Sequence, residues 1–212
     1  MKKVILALVA VAVVFLAYTT VMSVWSPVNF DKKQQSIEEG LQKQLKKIAT
    51  LEDAYKSVYD KYASKEELID FVSNGRIFYI KAEGDYTSAM REQGLSEEDA
   101  ARRGLIRRDT IWVSAKDSLL KDGTDLAKLF VIANNPDSSI QVVASTIEQE
   151  VGDTKIDVPV FQASASYESY LNPLGNPRRV REKVEAANAK ANAFAGLRVG
   201  SLTEVKTNGN WE

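Results

Sequence analysis

The chain opens on an apolar run and then turns amphipathic. From Val4 to Trp25 there are 22 residues without a charge. A helix of that length is about 33 Å long, enough to cross a hydrocarbon core of about 30 Å. Tyr18 and Trp25 lie toward the C-terminal end of the run, where amphipathic rings favour the headgroup region. Pro27 is expected to stop or kink the helix just past the interface. Residues 32 to 62 then read as a polar helix with a narrow apolar stripe. Ile48, Leu51, Tyr55, Val58 and Tyr62 step by 3, 4, 3 and 4, while Ile37, Leu41 and Leu45 step by 4 and 4. The favoured reading packs Ile48 to Tyr62 on the chain's own domain; Ile37 to Leu45 is the likelier half for self-association in a coiled coil.

Beyond this stalk the period changes repeatedly. Ser64-Lys65-Glu66-Glu67 is a capping box, opening a helix that buries Leu68, Ile69, Phe71 and Val72 and ends at Asn74-Gly75. Arg76 to Lys81 is rich in β-branched and aromatic residues and reads as a strand. Ser96 and Asp99 cap a short helix that Gly104 closes. Strand-like runs follow at Thr110 to Ala115, Ile140 to Ile147 and Ile156 to Phe161, with Pro159 marking the last as an edge or bulge. Leu126 to Ala133 fits a strand or a buried helix. Asn176-Pro177 starts a helix of about 15 residues, and Leu197 to Val205 reads as a final strand. Without a regular βαβ rhythm, the class is α+β: a mostly antiparallel sheet with flanking helices.

Four segments result: a short cytoplasmic tail at 1–3, a transmembrane helix at 4–25, a linker and helical stalk at 26–62, and a soluble α+β domain at 63–212. The competing reading is a cleaved signal peptide, with Lys2 and Lys3 as its n-region and Val4 to Ala17 as its h-region. Ala17-Tyr18-Thr19 is a poor cleavage site and the apolar run continues past it, which favours a retained anchor. Lys2 and Lys3 favour an N-terminus inside and the domain outside, although Lys32 and Lys33 sit near the other end.

Composition narrows the chemistry more than the fold. The net charge is -1, which suggests neither nucleic acid nor an acidic substrate as a partner. The chain has no cysteine and no histidine, which excludes disulfides, thiolate or imidazole metal ligands and the usual catalytic triads. Arg102-Arg103 and Arg107-Arg108, with Arg178, Arg179 and Arg181, form a candidate anion-binding face. Glu97, Glu98, Asp99 and Asp109 stand among the first four arginines, so an internally paired surface is the stronger reading. Ser114 and Lys116 share one face of a strand end, but nothing supplies an oxyanion hole for a Ser-Lys dyad. Trp211 either docks on the domain or reaches a partner. No residue is singled out as catalytic, cofactor-binding or metal-binding, and no cofactor is expected.

Several stretches resemble a group of single-pass envelope proteins of Bacteroidota-type bacteria. They are Ala54-Tyr55-Lys56, Leu68 to Val72 with Asn74-Gly75, Gly104-Leu105-Ile106 with Arg108-Asp109-Thr110, and Gly196 to Glu204. The resemblance implies a bacterial envelope protein and carries no activity or site residues; with the N-terminus inside, as Lys2 and Lys3 favour, the expected location is the inner membrane with the C-terminal domain in the periplasm. The layout is also loosely similar to pilin-like subunits, but no Gly precedes the apolar run and no Glu lies inside it. The expected role is a non-enzymatic accessory or structural subunit of an inner-membrane assembly, either a secretion system or a motor of the ExbB/ExbD or TolQ/TolR type. Its partners would be the membrane and other envelope proteins. A membrane-tethered ligand-binding or sensing module is the alternative, and an enzyme would require clustered carboxylates in a pocket.

Overall fold

The computed structural model describes residues 2–152, 154–191 and 193–212; Met1 of the expected tail lies outside them. Helix α1 runs from Lys2 to Tyr59 over 58 residues, with Pro27 inside it. The expected stop at Pro27 is therefore corrected: the helix passes through. An interior proline costs a helix about 3 kcal/mol, and packing downstream supplies more than that. Phe30 is buried one turn later, and Leu41, Leu45, Ile48 and Leu51 are all between 0% and 2% exposed. By length and composition the apolar stretch fits a membrane span or a signal sequence, and from Val9 on none of its described side chains is buried in the protein.

The amphipathic part of α1 is not a stalk standing apart from the domain. Leu41, Leu45, Ile48, Leu51 and Tyr55 belong to one core that also holds Leu68, Phe130, Phe161, Tyr170 and Val199. Leu41 and Leu45, in the half of the stripe that was left open to self-association, thus lie in the chain's own core. The helix ends at Tyr59, one turn before the expected Tyr62, because Asp60 adopts a left-handed φ of 56°. Its N–H closes the last turn on the Lys56 carbonyl at 2.8 Å. Tyr62 is still buried, with its ring 4.6 Å from that of Phe161.

Helix α2 (Lys65–Asn74) opens on the expected capping box: Ser64 Oγ accepts from the Glu67 N–H, and Glu67 Oε2 accepts from the Ser64 N–H at 2.8 Å. Strands β1 (Arg76–Glu83) and β2 (Arg107–Ser114) pair antiparallel from Arg76↔Ser114 to Glu83↔Arg107. Helices α3 (Ser88–Glu92) and α4 (Glu97–Arg102) lie between them, α4 capped by Ser96 as expected. After α5 (Ala115–Leu119), the ambiguous Leu126 to Ala133 run divides into α6 (Leu126–Leu129) and β3 (Val131–Ile132), which pairs with β4 (Asn135–Ser139). The long hairpin β5 (Gln141–Val151) and β6 (Thr154–Ser166) leads into α7 (Tyr167–Leu171), a 3-10 turn at Asn172–Leu174 and α8 (Pro177–Asn188). Strand β7 (Gly196–Gly200) pairs with β6.

The expectation of one sheet is corrected. Three small antiparallel sheets form, β1-β2, β3-β4 and β5-β6-β7. The first and the last both pack on α1, so the helix rather than a sheet is the common support. Pro159 faces Thr146, at a point where β6 has a neighbour on one side only, because β7 reaches just Gln162 to Ser166. The final strand ends at Gly200, not Val205. Gly200 takes a φ of 76° and turns the chain back, so that Asn210 N–H donates to the Arg198 carbonyl at 3.0 Å.

The core role of α1 is open to a direct check. Leu45→Ala should lower the unfolding free energy of the full chain in detergent by about 2–5 kcal/mol. A loss of less than about 0.5 kcal/mol by denaturant titration, the range of ordinary surface changes, would contradict the packing described.

Candidate functional site

Two fully buried titratable side chains bear on α1: Glu52 of the helix itself, and Tyr170 of α7, which reaches Glu38. Glu52 is 0% exposed. Its Oε2 accepts the Ala63 N–H at 2.9 Å, which draws the turn after α1 back onto the helix, while Oε1 is buried without a partner. Burial, with the charges of Asp53 and Glu67 adding to it, pushes its carboxyl up from 4.5 to about 7. Higher on the opposite stretch, Tyr170 donates to Glu38 Oε1 at 2.9 Å, and Gln34 Nε2 donates to the same oxygen at 2.7 Å. Burial and the Glu38 carboxylate push the Tyr170 phenol far up. Both groups tie α1 to neighbouring segments. The signal for Glu52 was in the spacing: Leu41, Leu45, Ile48, Glu52 and Tyr55 step by 4, 3, 4 and 3.

The residues singled out in the sequence are spread over the surface. Arg102 pairs with Asp99 at 3.2 Å, Arg107 with Asp109 at 2.8 Å and Arg108 with Glu97 at 3.0 Å, the internally paired arrangement. Arg178 and Arg179 lie elsewhere, on α8, with Arg179 held to Asp31 of α1 at 2.9 Å. Ser114 caps α5 by accepting from the Asp117 N–H, so its hydroxyl serves the backbone and not Lys116. Trp211 docks: it packs against the core beside Gly209, and Glu212 reaches Lys46 of α1 at 2.9 Å. Among the described residues no group of three or more acidic side chains is placed to hold a metal ion.

Two surface features stand out instead. The first is the β1-β2 ribbon. Opposed residues share a face, so Phe78, Ile80, Thr110 and Trp112 lie on one side and Tyr79 and Ile111 on the other. Tyr79, Ile80, Ile111 and Trp112 are 50%, 62%, 43% and 48% exposed. Phe78 and Trp112 meet with ring centroids 5.4 Å apart and their planes tilted by 58°. The β5-β6 hairpin also leaves the core, but its outer part carries mostly solvated residues such as Ser145, Thr146, Glu148 and Lys155. The contrast isolates β1-β2: its outer part is apolar on both faces and largely exposed, with Tyr79 held to its own chain at its hydroxyl, by Ser118 of α5. The second feature is a cleft of about 630 Å³ between α2, α5 and α6. Ile69, Val72, Leu126 and Phe130 make it apolar, and Lys65 and Lys116 stand at its edge. Lys65 lies over the Phe130 ring, 5.6 Å from its centroid.

Fold and surface together define an α+β protein with a long N-terminal apolar helix and a largely exposed apolar ribbon. No family model matches the chain, and no curated protein or solved structure matches it. Its role therefore has to be argued from geometry.

Glu52 makes stability pH-dependent in a defined direction. Its carboxyl binds a proton more tightly in the folded chain than in the unfolded one, so its contribution is full below pH 4.5 and is lost as pH rises through about 7. Lowering the pH from 8 to 5 should raise the melting temperature of the wild type, an effect worth at most about 3 kcal/mol. Glu52→Gln should flatten that part of the profile; an unchanged slope would remove Glu52 as its source.

Proposed function

We propose that the protein is a single-pass, non-enzymatic subunit of an envelope assembly. The apolar start of α1 is its anchor, in the inner membrane with the C-terminal domain in the periplasm, and the β1-β2 ribbon is its docking element. The observation that carries this reading is the exposed band formed by Tyr79, Ile80, Ile111 and Trp112. Such a band on both faces of a two-stranded ribbon is stabilised when a second polypeptide covers it.

Distance decides between a protein and the bilayer as that cover. The ribbon springs from the end of α2, where Phe71 packs on Tyr55 at 5.2 Å. From Trp25 to Tyr55 the helix rises about 45 Å. The apolar band begins only a few residues from the ribbon's root, within about 15 Å of it. Lipid is out of its reach, so its partner is a protein held at that height.

Tagged full-length protein, extracted from its native membranes in mild detergent, should bring polytopic membrane subunits with it in stoichiometric amounts. Ile80→Ser with Trp112→Ser should abolish that recovery while leaving the melting temperature within a few degrees of wild type, since both positions are exposed. Recovery of the wild type alone would sink the reading, and recovery of second copies would make the partner another copy of the chain.

A tethered ligand-binding module is the second reading, supported by the apolar cleft with Lys65 and Lys116 at its edge. Its ligand would be an amphiphile with an anionic head. A thermal shift with such amphiphiles that Lys65→Glu with Lys116→Glu removes would support it, and no shift with any of them would end it.

A further inference from the structure

Charge in this protein is segregated along α1 in a way that the net value of -1 conceals. Where α8 meets α1, just beyond Trp25, Arg179 and Lys183 of α8 close on Asp31 of α1 and Lys33 lines the cleft beside Asn176; Arg178 and Arg181 on the same turns of α8, and Lys32 on α1, add exposed cations. Only Asp31 and Glu182 oppose them within those turns. The crossing is fixed by specific contacts. Arg179 Nη1 donates to Asp31 Oδ1 at 2.9 Å and to the Pro27 carbonyl at 3.4 Å, and its guanidinium lies 5.7 Å from the centre of the buried Phe30 ring. Lys183 approaches the same Asp31 oxygen at 3.8 Å. Beside them, Leu174, Gly175 and Asn176 line a small cleft together with Met22 and Trp25.

We infer that this corner, the start of α8 with the adjoining turn of α1, is a docking surface for anionic phospholipid headgroups. The inference rests on the anchor reading above, because that reading puts a bilayer at Trp25. From Trp25 to Asp31 the helix rises about 9 Å, and the headgroup layer outside the hydrocarbon core is about 5–7 Å thick. Asp31 and the Arg179 that it holds therefore lie just above the layer that holds lipid phosphates, within the reach of long cationic side chains. Asp31 and Phe30 engage Arg179 from the protein side. Arg178 and Arg181 face solvent, and the Arg178 side chain, paired to Glu182 at 3.0 Å, is 89% exposed. Guanidinium groups suit phosphate because they present several N–H donors in a planar fork. Basic groups at a membrane surface draw anionic lipid over roughly a Debye length, which matches this spacing.

The chain has no cysteine, so one reporter can be placed at will. Asn172→Cys, an exposed position beside this corner, carries a fluorophore on the full-length protein reconstituted into vesicles with a nitroxide on the lipid headgroup. Quenching is compared between vesicles of phosphatidylcholine alone and vesicles containing one-third phosphatidylglycerol. The expected result is roughly twofold stronger quenching with the anionic lipid, lost in about 1 M salt, where the Debye length is about 3 Å. Arg178→Glu with Arg181→Glu should lose it as well, while Arg178→Lys with Arg181→Lys should keep most of it. Equal quenching in both lipids, by protein that floats with the vesicles, would overturn this inference and leave the anchor intact. Protein that fails to float with either vesicle would overturn the anchor reading and this inference with it.

Discussion

Everything in the fold depends on the burial of one stripe along α1. Leu41, Leu45, Ile48 and Leu51 are between 0% and 2% exposed, and each neighbouring segment covers part of that stripe. At about 1.5–3 kcal/mol for each large apolar side chain buried, this seam outweighs any single hydrogen bond or ion pair in the fold. The three sheets are individually too small to stand alone. They are held because each has a share of α1 or of its neighbours to cover. Glu52 and Glu38 belong to the same logic, since each carboxylate is reached by a donor from another segment and so fixes where that segment lies on the helix.

The seam also explains how the apolar start of the chain is coupled to the domain. A proline at position 27 invites a hinge, yet Phe30 is buried immediately after it and Arg179 grips Asp31 and the Pro27 carbonyl. The helical path is fixed on the domain side of the proline, so α1 reaches the domain as a strut with no loose linker. Orientation of the domain is then tied to orientation of the apolar segment.

Much of the local structure was legible in the sequence. The capping box at Ser64, the Ser96 cap, the Asn176-Pro177 start and the strand cores from Arg76 and Ile140 all follow from side-chain chemistry within a few residues. What could not be read depends on contacts across long separations. A heptad stripe looks the same whether another copy or the chain's own domain covers it, so Leu41 and Leu45 gave no hint of which of the two buries them. The β1-β2 strands are rich in Ile, Tyr, Phe and Trp, and that composition ordinarily marks a buried strand; exposure came from topology, which left the ribbon without a neighbour. The pairing of Arg179 with Asp31 joins residues 148 positions apart, so α8 gave no sign that its arginines sit beside the apolar helix. The run from Gly196 to Gly200 is intelligible only in three dimensions as well, because a Cβ at either glycine would collide with the β6 backbone.

The two ends of the helix carry opposite kinds of surface, and this bears on what the protein does. Near Trp25 the surface is cationic and paired to α1; some 45 Å further along, beside Tyr55, it is a ribbon whose outer apolar residues are largely exposed. On the anchor and docking reading, a rigid strut between the two would convert a position in the plane of a membrane into a fixed height for the ribbon. A flexible tether would sweep the ribbon through many heights and dilute its encounters with a partner fixed in the same membrane, whereas a strut keeps the effective concentration high at one level. The buried seam is therefore what the docking reading requires of the fold. A protein built to capture a diffusing ligand would gain nothing from holding its binding surface at one distance from the bilayer.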